Sequence, residues 1–275
     1  METKRFSSSK FMVESAMMIA IASVLSIIKI VDMPYGGSVT LASMLPIVII
    51  GYRHGTIRGL LAGLAYGVVQ QLLGLKNLTY VSEWYSVLAV IVLDYLAAFL
   101  VLGLGGVFRG KFASQPTELA LGAFMAGVLR FVCHFISGIT VWAGWGMPGK
   151  AALLYSLSYN STYMLPETIV LTLIAWYLGS QLDFTAETPR RIQVKGNAQA
   201  AVYGSIGILV LIGGVIADIS LIFNKLQNED SGEWMLSGLN DVKWVNVIVM
   251  TAVCLIVGIA LIVYSRYLAK KSAKR

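Results

Sequence analysis

Charge is scarce in this chain, and its scarcity decides the class. Of 275 residues only 13% are Asp, Glu, Lys or Arg, 57% are hydrophobic, and the mean hydropathy is +0.75. A soluble globule of this length needs far more polar surface, so the composition excludes one. The two cysteines, Cys133 and Cys254, are far apart and each lies in an apolar run. A disulfide framework and a cysteine metal cluster are thereby excluded, and both read as small packing residues. There is no HExxH helix and no GxSxG elbow, so hydrolase chemistry has no motif to stand on. Gly144 to Ala151 comes near a phosphate-binding loop, yet Ala151 stands where Ser or Thr would hold magnesium and no strand precedes it. No ATP hydrolysis, no enzyme activity and no cofactor is expected.

What the chain has instead is long apolar runs. A spanning helix needs about 17 to 25 apolar residues. On that measure the candidate spans are 11–31, 41–52, 55–75, 86–107, 117–140, 157–182, 198–223 and 243–266, the second of them short. The expected fold class is all-α, a polytopic membrane helical bundle in a lipid bilayer. Residues 1–185 form a six-helix core, 186–197 a cytoplasmic linker containing Thr188-Pro189-Arg190-Arg191, and 198–275 two further transmembrane helices. The first run is longer than the apolar part of a secretion leader, and no small-residue cleavage site precedes the polar loop Asp32 to Thr40. A retained first helix is expected.

The net charge of +7 reports topology and not nucleic-acid binding. Lys and Arg collect at both termini and in the loops around Arg53 to Arg58, Arg109 to Lys111 and Arg190 to Lys195, leaving Lys76, Lys150, Lys225 and Lys243 for the other side. The positive-inside rule then puts both termini in the cytoplasm of a cell-membrane protein. In the third span Gly55, Gly59, Gly63 and Gly67 recur every four residues, a smooth strip suited to close packing inside the bundle. Ala16 and Ala20 repeat that spacing in the first helix, where packing inside the fold and packing against a partner are equally allowed.

One acid breaks the pattern. Asp94 is the sole charge in the run Ser86 to Val107, where a carboxylate costs roughly 2.5 to 3.5 kcal/mol even on insertion scales. With the fourth helix entering from outside, Asp94 lies about 12 Å below the outer surface at 1.5 Å per residue. Arg130, His134 and Gly138 rise through the same half on one face of the fifth helix, as Tyr66 and Gln70 do on the third. The next outer loop brings Trp142 and Trp145, and the descending helix Tyr155, Tyr159 and Asn160. Each has a plain structural alternative: Asp94 as the ion-pair partner of Arg130, His134 as a satisfied core histidine, and Trp84, Tyr85, Trp142 and Trp145 as interfacial belt aromatics. Taken together, a carboxylate beneath several rings suits an organic cation with a flat ring, since cation–π contacts contribute about 2 kcal/mol or more when dry. His134 and Asn160 would add directional hydrogen bonds.

These residues also carry a resemblance. Leu93-Asp94-Tyr95-Leu96-Ala97, then His134-Phe135-Ile136-Ser137-Gly138 with Trp142, then Tyr155 to Asn160, resemble in order and spacing the thiamine-binding S components of energy-coupling factor (ECF) transporters, the ThiT family. Gly36 to Ile47 is similar to that family's first outer loop and second helix, and the resemblance covers roughly residues 11 to 185.

The resemblance implies a six-helix protein that captures thiamine from outside in an occluded pocket. A transmembrane coupling protein and two cytoplasmic ATPases would supply the energy. It implies that Asp94, before Tyr95, neutralises the thiazolium, and that His134 and Trp142 embrace the aminopyrimidine. Tyr155 and Asn160 would supply polar and stacking contacts, Tyr66 would stand where the family places an aromatic, and Ala16 and Ala20 would dock on the coupling protein. Trp84 and Tyr85 are counted with the pocket. The chain departs from the family in having Asp at 94 where some members have Glu, Gly36-Gly37 where some have Trp, a longer segment from Lys76 to Tyr85, and the last two helices. Two other classes stand beside this one. A stand-alone proton-coupled secondary transporter of an organic cation or another vitamin would relay protons through Asp94, His134 and Arg130, although no inverted repeat is visible. An intramembrane enzyme is the third.

Overall fold

A computed structural model describes residues 7–142, 149–192, 198–226 and 235–273. Trp145, the phosphate-loop-like residues 144–148, and the acidic Glu229, Asp230 and Glu233 lie outside the described residues. Helix α1 spans Ser8–Ile27 and opens with the Ser7 side chain accepting from the Lys10 amide, a cap that satisfies one of the amides the first turn leaves free. It stops short of the expected residue 31. The backbone becomes extended at Ile28 and passes into β1, Lys29–Asp32, which pairs antiparallel with β2, Ser38–Thr40. The polar loop is therefore a small hairpin, closed by the Met33 amide donating to the Gly37 carbonyl at 2.8 Å.

Helix α2, Leu45–His54, is buried from Leu45 to Arg53. Its 10 residues reach only about 15 Å, too short to cross a bilayer. Gly55, at φ +90°, turns the chain straight into α3, Thr56–Leu73, a backbone angle that costs glycine little. A 3-10 segment, Leu75–Tyr80, then leads to α4, Trp84–Gly106. The α4 helix is α-helical over Trp84–Val90, π-helical over Ile91–Ala97 and 3-10 over Val101–Gly106. Helix α5 runs Gln115–Trp142, its last five residues again π-helical, and α6 is one helix of 33 residues, Gly149–Gln181, with Pro166 inside it. It begins well before the expected residue 157.

The glycine strip of α3 faces α4. A Cβ on Gly59 would meet the Gly103 carbonyl oxygen at 2.4 Å, one on Gly63 the Phe99 oxygen at 2.5 Å, and one on Gly67 the Tyr95 oxygen at 2.9 Å. Small residues let the two backbones touch, and that contact fixes where Asp94, one residue before Tyr95, comes to lie. At the opposite end of the helices from Asp94, the Arg53 guanidinium is 1% exposed and grips both oxygens of Glu14 at 2.8 and 2.9 Å. It also donates to the carbonyls of Phe184, Ala186 and Glu187. The base of α1 is thus tied to the end of α2 and to residues 184–187.

Two compact units emerge, one ending at Gly179 and taking back Phe184–Pro189, the other holding Ser180–Asp183 and the chain from Arg190 onward. In the second, α7, Ala198–Leu226, and α8, Trp244–Ala273, pack through glycines. Gly207 approaches the Gly258 carbonyl and Gly214 faces Cys254. Among the described residues, α1, α4, α5, α7 and α8 are long and apolar enough to cross a membrane. The molecule is a helical membrane bundle.

Candidate functional site

A cavity of about 660 Å³ opens among the β1–β2 hairpin, α3, α4, α5 and α6. Asp94 stands in its wall, 9% exposed, because the π-helical stretch carries both Asp94 and Tyr95 inward. Three groups donate to its carboxylate. His134 Nδ1 lies 2.8 Å from Oδ1, while Ser137 Oγ and Trp142 Nε1 lie 2.6 and 2.9 Å from Oδ2. His134 and Ser137 are three residues apart on α5, the spacing at which helical side chains share a face. Among the described residues no Lys or Arg forms an ion pair with Asp94. The expected alternative, an Asp94 to Arg130 pair, is not what forms.

Arg130 instead pairs with Glu167 of α6, Nη1 to Oε2 at 3.2 Å, and lies over the Phe99 ring at 4.7 Å from its centroid. Glu167 Oε1 accepts from Thr40 Oγ1 at 2.7 Å. This polar group also lines the cavity, one helical turn along α5 from His134.

The wall from α6 is aromatic. Tyr155 and Tyr159 stack at 6.1 Å with 11° between planes, and Tyr163 meets Tyr159 edge-on. Tyr163 donates its hydroxyl proton to Asn160 Oδ1 at 3.0 Å, and Asn160 Nδ2 donates to the Ser156 carbonyl at 2.9 Å. Over the opening, Tyr35 of the hairpin turn sits edge-on to Tyr80 at 5.4 Å and tilted against Trp142 at 6.1 Å. Its φ of +63° is a left-handed conformation rare for an aromatic residue. Asn77 packs against Gly36 and donates to the Tyr95 hydroxyl at 2.8 Å, which in turn donates to the Gly74 carbonyl.

Of the residues the sequence assigns to the ligand, Asp94, Tyr95, His134, Trp142, Tyr155 and Asn160 share one cavity, and Gln70, Arg130, Gly138 and Tyr159, placed at the same depth, line it too. Tyr66 does not line it. Fully buried, Tyr66 donates to the Ala22 carbonyl of α1 and packs edge-on against Phe99. Trp84, 76% exposed, and Tyr85, 41% exposed, stand at the start of α4, outside the cavity. Sequence reasoning passed over Tyr35, Asn77, Ser137, Tyr163 and Glu167. The four-residue step from Tyr155 to Tyr159 to Tyr163 was the one available signal for the aromatic wall.

Chemically the arrangement offers a buried anion held by neutral donors, flat rings above and beside it, and amide and hydroxyl groups for directional bonds.

Residues 12–186 match the family described as thiamine transporter protein (Thia_YuaJ). The thiamine transporter ThiT of Bacillus subtilis (strain 168) is 31% identical over 174 residues, 59% of this chain and 86% of the relative. ThiT of Lacticaseibacillus paracasei is 23% identical over 145 residues, 49% of this chain and 70% of the relative. The solved structure of ThiT from Listeria monocytogenes aligns with a TM-score of 0.50 at 25% identity, covering 62% of this chain and 92% of that one. These relatives are named as thiamine transporters, and the family match ends at residue 186, before α7 and α8. The match over residues 12–186 establishes that the chain belongs to the thiamine transporter protein family.

Proposed function

We propose that this chain is the S component of an ECF-type importer, a binding subunit that captures thiamine from outside the cell. The single observation that carries the reading is the Asp94 carboxylate, buried in a ring-lined cavity and held by His134, Ser137 and Trp142 with no Lys or Arg ion pair among the described residues. A buried charge calls for a counter-charge, and the thiazolium would provide it. Trp142, Tyr155 and Tyr159 would stack on the rings, and Asn160 and His134, whose Nε2 is buried without a hydrogen-bond partner, would bond the aminopyrimidine. Tyr35 would close the opening. The cavity faces outward in this reading, with both termini cytoplasmic in the cell membrane.

Energy would come from partners: a transmembrane coupling protein and two cytoplasmic ATPases. Ala16 and Ala20 lie on the exposed side of α1, between the equally exposed Met12, Val13, Met17 and Val24. A small-residue notch flanked by large apolar side chains is what a partner helix needs for close approach. Purified protein should show saturable quenching of its tryptophan fluorescence by thiamine, and uptake into cells should require the coupling protein and ATPases. Another vitamin quenching where thiamine does not would overturn the substrate. Uptake without the partners would show a self-sufficient transporter.

A further inference from the structure

We infer that Glu167 determines the charge selectivity of the cavity, by engaging Arg130 so that Asp94 remains available to a cationic ligand. The inference rests on the thiamine-capture reading and adds a specificity-determining residue to it. Arg130 shares the cavity with Asp94 and is one turn from His134, which itself bonds Asp94. In so poorly solvated a space a guanidinium repels an entering organic cation and is itself a competitor for the carboxylate.

Three contacts draw Arg130 elsewhere. Glu167, 1% exposed, takes Nη1 at 3.2 Å; Met44 Sδ lies 3.1 Å from the same nitrogen; and the Phe99 face lies under the guanidinium. Glu167 is itself fixed by the Thr40 hydroxyl. The hold is incomplete, because Arg130 Nε is buried with no hydrogen-bond partner. The charge of Glu167 thus offsets Arg130, and loss of that charge would free Arg130 to bias the cavity against cations.

The experiment measures binding of thiamine and of a neutral aminopyrimidine lacking the thiazolium to four proteins: wild type, Glu167→Gln, Arg130→Gln and the double variant. Gln at 167 keeps the shape and an oxygen for Thr40, so the neutral analogue reports on folding. Glu167→Gln should weaken thiamine about tenfold or more and the neutral analogue less than about twofold. The double variant should return thiamine to within about threefold of wild type, as coupled residues in a mutant cycle do. Equal loss of both ligands in Glu167→Gln, or no recovery in the double variant, would show that Glu167 serves the fold and would overturn the inference while leaving thiamine capture intact. Failure of the wild type to bind thiamine overturns the capture reading, and the inference falls with it.

Discussion

The indole N–H of Trp142 points its proton at Oδ2 of Asp94 across 2.9 Å, so the ring and the charge of the site are one hydrogen-bonded unit. That pairing makes Asp94→Asn an informative substitution. The Asn oxygen can keep the protons of Trp142 and Ser137, and its amide can face His134, whose imidazole can accept as the other tautomer. Shape and bonds survive while the charge goes. Thiamine affinity should fall by roughly 2 to 5 kcal/mol, the range for removing one partner of a buried charge pair. A neutral pyrimidine analogue should change far less. Isothermal titration of both ligands checks this, and equal losses would assign Asp94 to folding.

Tyr35 closes over Trp142 and Tyr80 without bonding either. Tyr35→Ala should leave the thiamine association rate nearly unchanged and raise the dissociation rate by about three- to tenfold, since an aromatic pair contributes about 0.5 to 1.5 kcal/mol and interface changes act mostly on dissociation. Stopped-flow fluorescence separates the two rates. Removal of the side chain should also relieve the left-handed strain at this position only in part, because Ala carries a Cβ as well.

On the exposed side of α1, Ala16→Trp should abolish uptake and spare ligand capture. A bulky ring in a small-residue notch keeps a partner backbone away without touching the cavity. Uptake in cells and binding by purified protein are the two measurements, and loss of both would return Ala16 to internal packing.

Arg53, on α2, ties α1 to residues 184–187 at the far end of the bundle. Arg53→Met removes the guanidinium from the Glu14 carboxylate, which keeps His54 and Lys10, and takes a charged donor from the Phe184 and Ala186 carbonyls, so stability should fall by about 1.5 to 3 kcal/mol, the range for losing hydrogen bonds to a charged group. Thermal unfolding followed by tryptophan fluorescence measures it. Thiamine affinity at low temperature should hold, because the cavity and the Arg53 cluster share no residue.

Much of this was legible because the membrane makes charge and long apolar runs informative: Asp94 stood out as the only acid in its span, and the helices α1, α4, α5, α7 and α8 followed from hydropathy alone. The pair Arg130 to Glu167 was hidden. Its members are 37 residues apart and Thr40 a further 127 from Glu167, so only the packed bundle brings them together. Strands of four and three residues are too short to register against an apolar background, which is why the hairpin read as a loop. Trp84 was counted with the site for its nearness to Asp94 in sequence. Ten residues of helix carry it about 15 Å along the axis and round to another face, where it is exposed.

The π-helical stretch Ile91–Ala97 has a consequence for how this chain can vary. Each residue of a regular α-helix advances the rotation by about 100°. A π-helical turn holds one residue more than an α-helical turn, so deleting one residue between Ile91 and Ala97 would let the coil tighten to regular α geometry while Phe99 stays over the Arg130 guanidinium and Gly103 stays against Gly59. Such a deletion would rearrange the stretch itself, which carries Asp94 and Tyr95 to the cavity wall. The helix seam can thus outlast a change of length that dismantles the carboxylate's setting.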